Sequence, residues 1–184
     1  MVRWMAAVPA TALQRRPGCP RPGGRRAARA RIDQVEPLLT LAEQAYAASG
    51  GEPYAASVDR SVSVLANLPA TLATCRADLA RLRGDGETER AHAQAALTHM
   101  RADDALLASV ARYHLAVGDW LAGRLDAAEK GLLDVAGEHP LSAERHIVLR
   151  ATYDLGGVQQ AQGRLGAALR TYEPPIPRRR SRAC

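Results

Sequence analysis

Gly123-Arg124-Leu125-Asp126-Ala127-Ala128-Glu129-Lys130-Gly131-Leu132-Leu133-Asp134-Val135 is a glycine turn followed by apolar residues at helical spacing: Leu125, Ala128, Leu132 and Val135. Intervals of three and four residues put those side chains on one face of a helix. The phrase recurs. Gly163-Arg164-Leu165 is followed by Ala168 and Tyr172, and Gly84-Asp85 by Ala96 and Leu97. An earlier echo is Arg31-Ile32-Asp33 with Glu36, Leu39 and Ala42. The three glycines are 39 and 40 residues apart, and each has a small residue seven positions before it, Ala77, Ala116 and Gly156. A helical pattern repeated at this interval predicts stacked helix pairs, in which one unit cannot bury its apolar face alone and its neighbours complete the core. The expected fold is all-α, a right-handed superhelix of antiparallel helix pairs, and it favours a binding scaffold over an enzyme.

Helix boundaries follow from breakers and caps. The pattern predicts a helix over 34–48 with Pro37 in its first turn, where a missing N–H costs little. Ser49-Gly50-Gly51-Glu52-Pro53 then stops it. A short, weak helix is expected over 54–66, from Val58, Val62 and Leu65. Pro69 suits the opening of a helix that runs to Arg83 and ends at Gly84, and a partner is expected over 85–100. Asp103 is placed to cap a helix carrying Leu107, Val110, His114 and Leu121, and its partner runs from Gly123 to before Pro140. The last pair uses Val148, Ala151, Leu155 and Val158, then Leu165, Ala168, Leu169 and Tyr172, and is cut off by Pro174-Pro175.

Charge divides the chain into three. Residues 1–31 hold eight Arg and no acid, residues 32–172 hold 13 basic and 18 acidic side chains, and residues 173–184 hold four Arg and one Glu. The net charge of +6 therefore comes from the ends, while the repeat region is mildly acidic. Residues 1–31 are expected to be a basic, largely disordered segment, 32–173 the helical repeats, and 174–184 a disordered basic tail. Basic ends could hold nucleic acid electrostatically, but no Lys or aromatic residue interleaves residues 15–31 to stack on bases, so direct DNA binding is not the expectation. No apolar run approaches a membrane span, and Pro9 interrupts the only short apolar stretch near the N-terminus. A cytoplasmic protein is expected.

Catalytic and metal signatures are weak. Cys19, Cys75 and Cys184 are far apart and odd in number, which gives neither a disulfide framework nor a zinc site. Cys75 is expected to be a buried thiol on an apolar face with Leu72, Leu79 and Leu82. His92, His99, His114, His139 and His146 lack the convergent spacing of metal ligands. Asp103-Asp104 and Glu87 with Glu89 read as helix-start carboxylates, favoured by the N-terminal dipole, rather than paired catalytic acids. Lys130 is the only lysine and follows Glu129, so there is no Gly-Lys-Ser/Thr phosphate loop. No cofactor, metal or catalytic residue is expected.

The segment from Leu115 to Pro140 resembles the tetratricopeptide repeat, with small residues at Ala116 and Ala128, the turn at Gly123 and the closing Pro140 at that motif's offsets. It departs where the motif has an early aromatic, carrying Arg112 instead, and its period is longer. The run from Leu68 to Tyr172 is similar to the helical-repeat region of MalT-like regulators of the LuxR family. Its carriers are Leu-Ala-Arg-Leu-Arg-Gly-Asp at 79–85, Trp120-Leu121-Ala122-Gly123-Arg124-Leu125 and Ala151-Thr152-Tyr153-Asp154-Leu155-Gly156. Fainter matches are Arg3 to Pro9 and Arg31 to Ala48. In that family the region resembles a sensor arm between an ATP-hydrolysing module and a DNA-binding helix-turn-helix, and neither motif is present in this sequence. The Pro/Gly/Arg-rich stretches at 15–30 and after Glu173 point to a frame-disrupted fragment of a longer regulator, which sequencing of the locus would decide.

What the resemblance implies is a protein–protein or ligand interaction module. In tetratricopeptide-like stacks the first helix of each pair lines a concave face, which here would present Asp78, Arg81, Tyr113, Trp120, Tyr153 and Gln160 to a protein or small-molecule inducer. Self-association through the exposed final repeat is expected, since Leu165, Ala168 and Leu169 lack a following unit. Alternatives are a small DNA-associated regulator using its basic ends, and a truncated product without function of its own.

Overall fold

A computed structural model describes residues 22–49, 67–137 and 145–173. All regular structure among them is α-helix: α1 (Pro22–Ala48), α2 (Leu68–Arg83), α3 (Gly86–Thr98), α4 (Ala105–Leu121), α5 (Leu125–Gly137), α6 (Arg145–Ala161) and α7 (Leu165–Tyr172). None of the helices among these residues is long and apolar enough to cross a membrane. The chain divides into two units between Leu41 and Ala42, and the packing described below is that of the second. The weak helix expected over 54–66, both basic ends beyond 22 and 173, and Pro140 lie outside the described residues.

Helix α1 corrects two expectations. It opens at Pro22 rather than near Gln34, so ten residues of the segment expected to be largely disordered are helix. Pro37 consequently lies in the helix interior and not in its first turn. The reason is local: residues 24–31 are mostly Arg and Ala, strong helix formers, and proline at the opening position supplies a preset φ.

From α2 onward each helix packs against the next, and α2 also meets α4, as α4 meets α6. The first helices of the three pairs thus lie side by side. What sets this order is a turn used three times. Gly84, Gly123 and Gly163 have φ of 77°, 81° and 76°, the left-handed region that glycine enters without a side-chain clash. In each, the glycine N–H donates to the carbonyl three residues back: to Arg81 at 3.0 Å, Trp120 at 2.9 Å and Gln160 at 3.0 Å. The next N–H donates five residues back, from Asp85 to Ala80 at 3.0 Å, Arg124 to Asp119 at 2.8 Å, and Arg164 to Gln159 at 2.8 Å. This pair of bonds is the Schellman termination, and it satisfies carbonyls that a helix end would otherwise leave open.

Small residues then set how closely the helices approach. Ala77, Ala116 and Gly156, seven positions before each turn, are all buried, as are Ala128 and Ala168 five positions after the later two. Gly86 and Gly118 bring α3 and α4 together so tightly that a Cβ on Gly86 would stand 2.5 Å from the Gly118 carbonyl oxygen. Between α4, α5 and α6 the core is Val117, Leu132, Val135, Ile147, Leu155 and Val158, each no more than 4% exposed.

Two further expectations fail. Cys75 is exposed, and Leu82 is 51% exposed, although Leu72 and Leu79 are buried as expected. Helix α2 is covered from two sides, by α3 and α4, and Cys75 and Leu82, seven residues apart, share the stripe left to solvent. Nor does Asp103 cap α4. Asp104 precedes that helix, is buried, and makes no capping bond to it. Its carboxylate accepts from the Asn67 side-chain amide and from the Arg101 N–H at 2.9 Å. Asn67 also donates to the His99 carbonyl at 2.7 Å and accepts from the Ala70 N–H, so one amide links the start of α2, the end of α3 and the approach to α4.

Candidate interaction groove

Three of the six expected groove residues converge. Arg81 near the end of α2, Tyr113 in the middle of α4 and Tyr153 in α6 line a cleft of about 290 Å³ together with Leu149, Arg150 and Asp154. Asp78 borders it through Arg81, whose Nε and Nη2 donate to Asp78 Oδ1 at 3.1 and 2.9 Å. The other two stand elsewhere. Trp120 packs against the core, its ring tip over Gly157, where a Cβ would come within 2.8 Å of it. Gln160 is exposed on the last turn of α6 and does not line the cleft.

Tyr113 is the floor of the cleft. Its side chain is 1% exposed, its hydroxyl donates to Asp154 Oδ2, and the Arg150 guanidinium lies over its ring at 4.9 Å from the centroid. Burial first, and the hydrogen bond to Asp154 second, push the phenol well above its ordinary pKa, so it remains a donor throughout the neutral range. Tyr153 holds the same place relative to its own glycine turn and is 69% exposed. The difference is the next helix. Tyr113 is covered by Arg150 and Asp154 of α6, whereas Tyr153 has the Tyr172 ring of α7 beside it, at 5.7 Å between centroids, and stays largely open.

Leu149, Arg150 and Asp154 escaped sequence reasoning. The available signal was helix geometry: Leu149 and Arg150 lie one turn before Tyr153, and Asp154 one turn after Arg150.

A buried ionisable pair lies behind Tyr113. Glu89 of α3 and His114 of α4 are 0% and 2% exposed, with Oε1 and Nδ1 2.8 Å apart. The second carboxylate oxygen, Oε2, has no hydrogen-bond partner. Burial is the largest influence on Glu89 and raises its pKa, against the lowering effects of His114 and Arg81. Glu89 stands five residues after its glycine, where the later repeats have Ala128 and Ala168. Glu89 lies in the first turn of α3, as expected of a helix-start carboxylate, and is in addition the buried partner of His114.

A wider opening of about 730 Å³ runs along the turns, lined by Gly123 to Ala127, Gln162 and Arg164. Its arginines are already matched by acids. Arg124 Nε donates to Asp119 at 2.7 Å and Nη1 to Glu87, while Arg164 Nη1 donates to Glu129 at 2.6 and 2.7 Å. The bridges to Glu87 and Glu129 each run from one turn to the second helix of the preceding pair, whereas Asp119 belongs to α4 itself. Among the described residues no three His, Cys, Asp or Glu side chains converge as a metal site would require. No family profile, curated protein or solved structure matches the chain.

Proposed function

We propose that the second unit is a tetratricopeptide-like helical-repeat module that binds a protein partner in the groove formed by α2, α4 and α6, related to the sensor arm of LuxR-type regulators and without catalysis of its own. One observation carries the reading: three successive first helices deliver Arg81, Tyr113, and Arg150 with Tyr153 to one cleft. Adjacent repeats thereby build one surface, with Tyr113 and Tyr153 at equivalent positions, which is how repeat proteins form extended recognition faces. Aromatic and arginine side chains are the types enriched where binding energy concentrates. Repetition of the Schellman turn and of the bridges from Arg124 to Glu87 and from Arg164 to Glu129 supports a regular superhelical stack.

Selection from a displayed peptide library on the full chain, with counter-screening on Tyr153→Ala, tests the reading. Tyr153 is exposed, so its truncation leaves the fold intact. Selected peptides should lose most of their binding to the variant. Peptides that bind both forms equally would place recognition elsewhere and contradict the groove.

A further inference from the structure

We infer that the cleft recognises an extended peptide carrying an acidic side chain beside a large apolar one, an assignment that rests on the groove reading above. Two of the cleft's charges are already engaged within it: Asp78 accepts two bonds from Arg81, and Asp154 accepts the Tyr113 hydroxyl. Arg150 differs. Its guanidinium carbon lies over the Tyr113 ring, 4.9 Å from the centroid, and no acid among the described residues pairs with it. A cation–π contact through the ring face leaves the guanidinium N–H donors available, and a carboxylate is the group that meets them with two parallel bonds.

Beside that cation, Leu149 is 65% and Tyr153 69% exposed, one helical turn apart on α6. They offer an apolar shelf next to the charge, and a large aliphatic or aromatic side chain would cover it. A lysine or arginine of a partner would meet carboxylates that already accept hydrogen bonds, Asp78 from Arg81 and Asp154 from the Tyr113 hydroxyl, and would also be repelled by the Arg150 charge beside them. Size decides between a peptide and a small inducer. At about 290 Å³ the cleft is at the lower limit of pockets that enclose small molecules, roughly 300 to 1,000 Å³, so it fits side chains of a longer ligand lying across it.

Fluorescence anisotropy with short labelled, C-terminally amidated peptides tests this, since amidation leaves side chains as the only carboxylates. Three probes suffice: alternating Glu and Leu, the same with Lys for Glu, and the same with Gly for Leu. The Glu/Leu probe should bind. Arg150→Glu and the milder Arg150→Gln should each weaken it by about tenfold or more, Tyr153→Ala by a few-fold, and added salt should weaken it further. Arg170→Glu, on the exposed side of α7, should leave it within about twofold, because screening limits a remote charge. Equal or tighter binding of the Lys/Leu probe, still lost in Tyr153→Ala, overturns the acidic class and leaves the groove standing. Binding of no probe, or binding that neither Arg150 nor Tyr153 substitutions change, overturns both.

Discussion

Replacing Gly123 by Val isolates the backbone contribution of the repeated turn. A Cβ at Gly123 would meet nothing within 4 Å, so the substitution adds no steric contact with the rest of the protein. What it adds is conformational cost, because φ is 81° and the left-handed region disfavours residues with a side chain. That region costs an ordinary residue about 1 to 2 kcal/mol, and a β-branched one stands at the upper end. Relaxing φ instead would break the bonds from Gly123 N–H to Trp120 and from Arg124 N–H to Asp119. The matched control is Gly137, which also has open space around its Cβ position but lacks a positive φ and ends α5. Gly137→Val should be neutral within about 0.5 kcal/mol, as surface changes without a special conformation usually are. For a domain of this size, a loss of 1 to 2 kcal/mol lowers Tm by roughly 3 to 10 °C. Circular dichroism melts of both variants read this directly, and Gly123→Asn should recover much of the loss because Asn tolerates the left-handed region. If Gly123→Val melts with the parent while Gly137→Val collapses, the turn is misplaced and the repeat register is wrong.

Other consequences concern the packing. Because burial raises the Glu89 pKa in the fold, folding favours its protonated form; its contribution is full below the ordinary carboxyl value and is lost as pH rises through the raised one. Urea midpoints between acid and neutral pH should therefore fall for the wild type relative to Glu89→Gln, and parallel profiles would contradict this assignment. Gly86→Ala should cost about 1 to 3 kcal/mol by forcing α3 away from the Gly118 carbonyl, in contrast to the open turn glycines. Chemical denaturation showing no loss would mean the two helices are less closely packed than described. Arg124→Ala should leave the denaturation midpoint close to that of the parent despite its bonds to Asp119 and Glu87, because exposed bridges gain little against water and salt. A larger loss, insensitive to salt, would show that these bridges hold the stack together.

The parts legible in the sequence were those set by neighbours in the chain. A glycine seven residues after a small residue and just ahead of an apolar stripe constrains its own φ, so all three left-handed turns could be placed in advance. Pro69 at the opening of α2 is the same kind of signal. What escaped depends on how separate helices meet. Cys75 looked buried because Leu72 and Leu79 are, but α2 is covered from two directions and the uncovered stripe cannot be read from one helix. Glu89 and His114 are 25 residues apart, and only the α3–α4 contact shows that they are hydrogen-bonded to each other. Asp104, not Asp103, precedes α4, and its carboxylate is held by Asn67, a partner 37 residues earlier, instead of capping the helix. In the groove, repeat phase assigned Arg81, Tyr113 and Tyr153 to one face, and the three line one cleft. It did not anticipate that Trp120 turns into the core, or that α6 covers Tyr113 with Arg150 and Asp154.

Chemical-shift mapping on isotopically labelled protein titrated with the Glu/Leu peptide tests the central claim, that successive first helices form one recognition surface. Perturbations should concentrate at Arg81, Tyr113, Leu149, Arg150 and Tyr153, spanning α2, α4 and α6 together. Shifts confined to the turns around Gly123 and Gly163, or to a single helix, would contradict a groove built by the repeats.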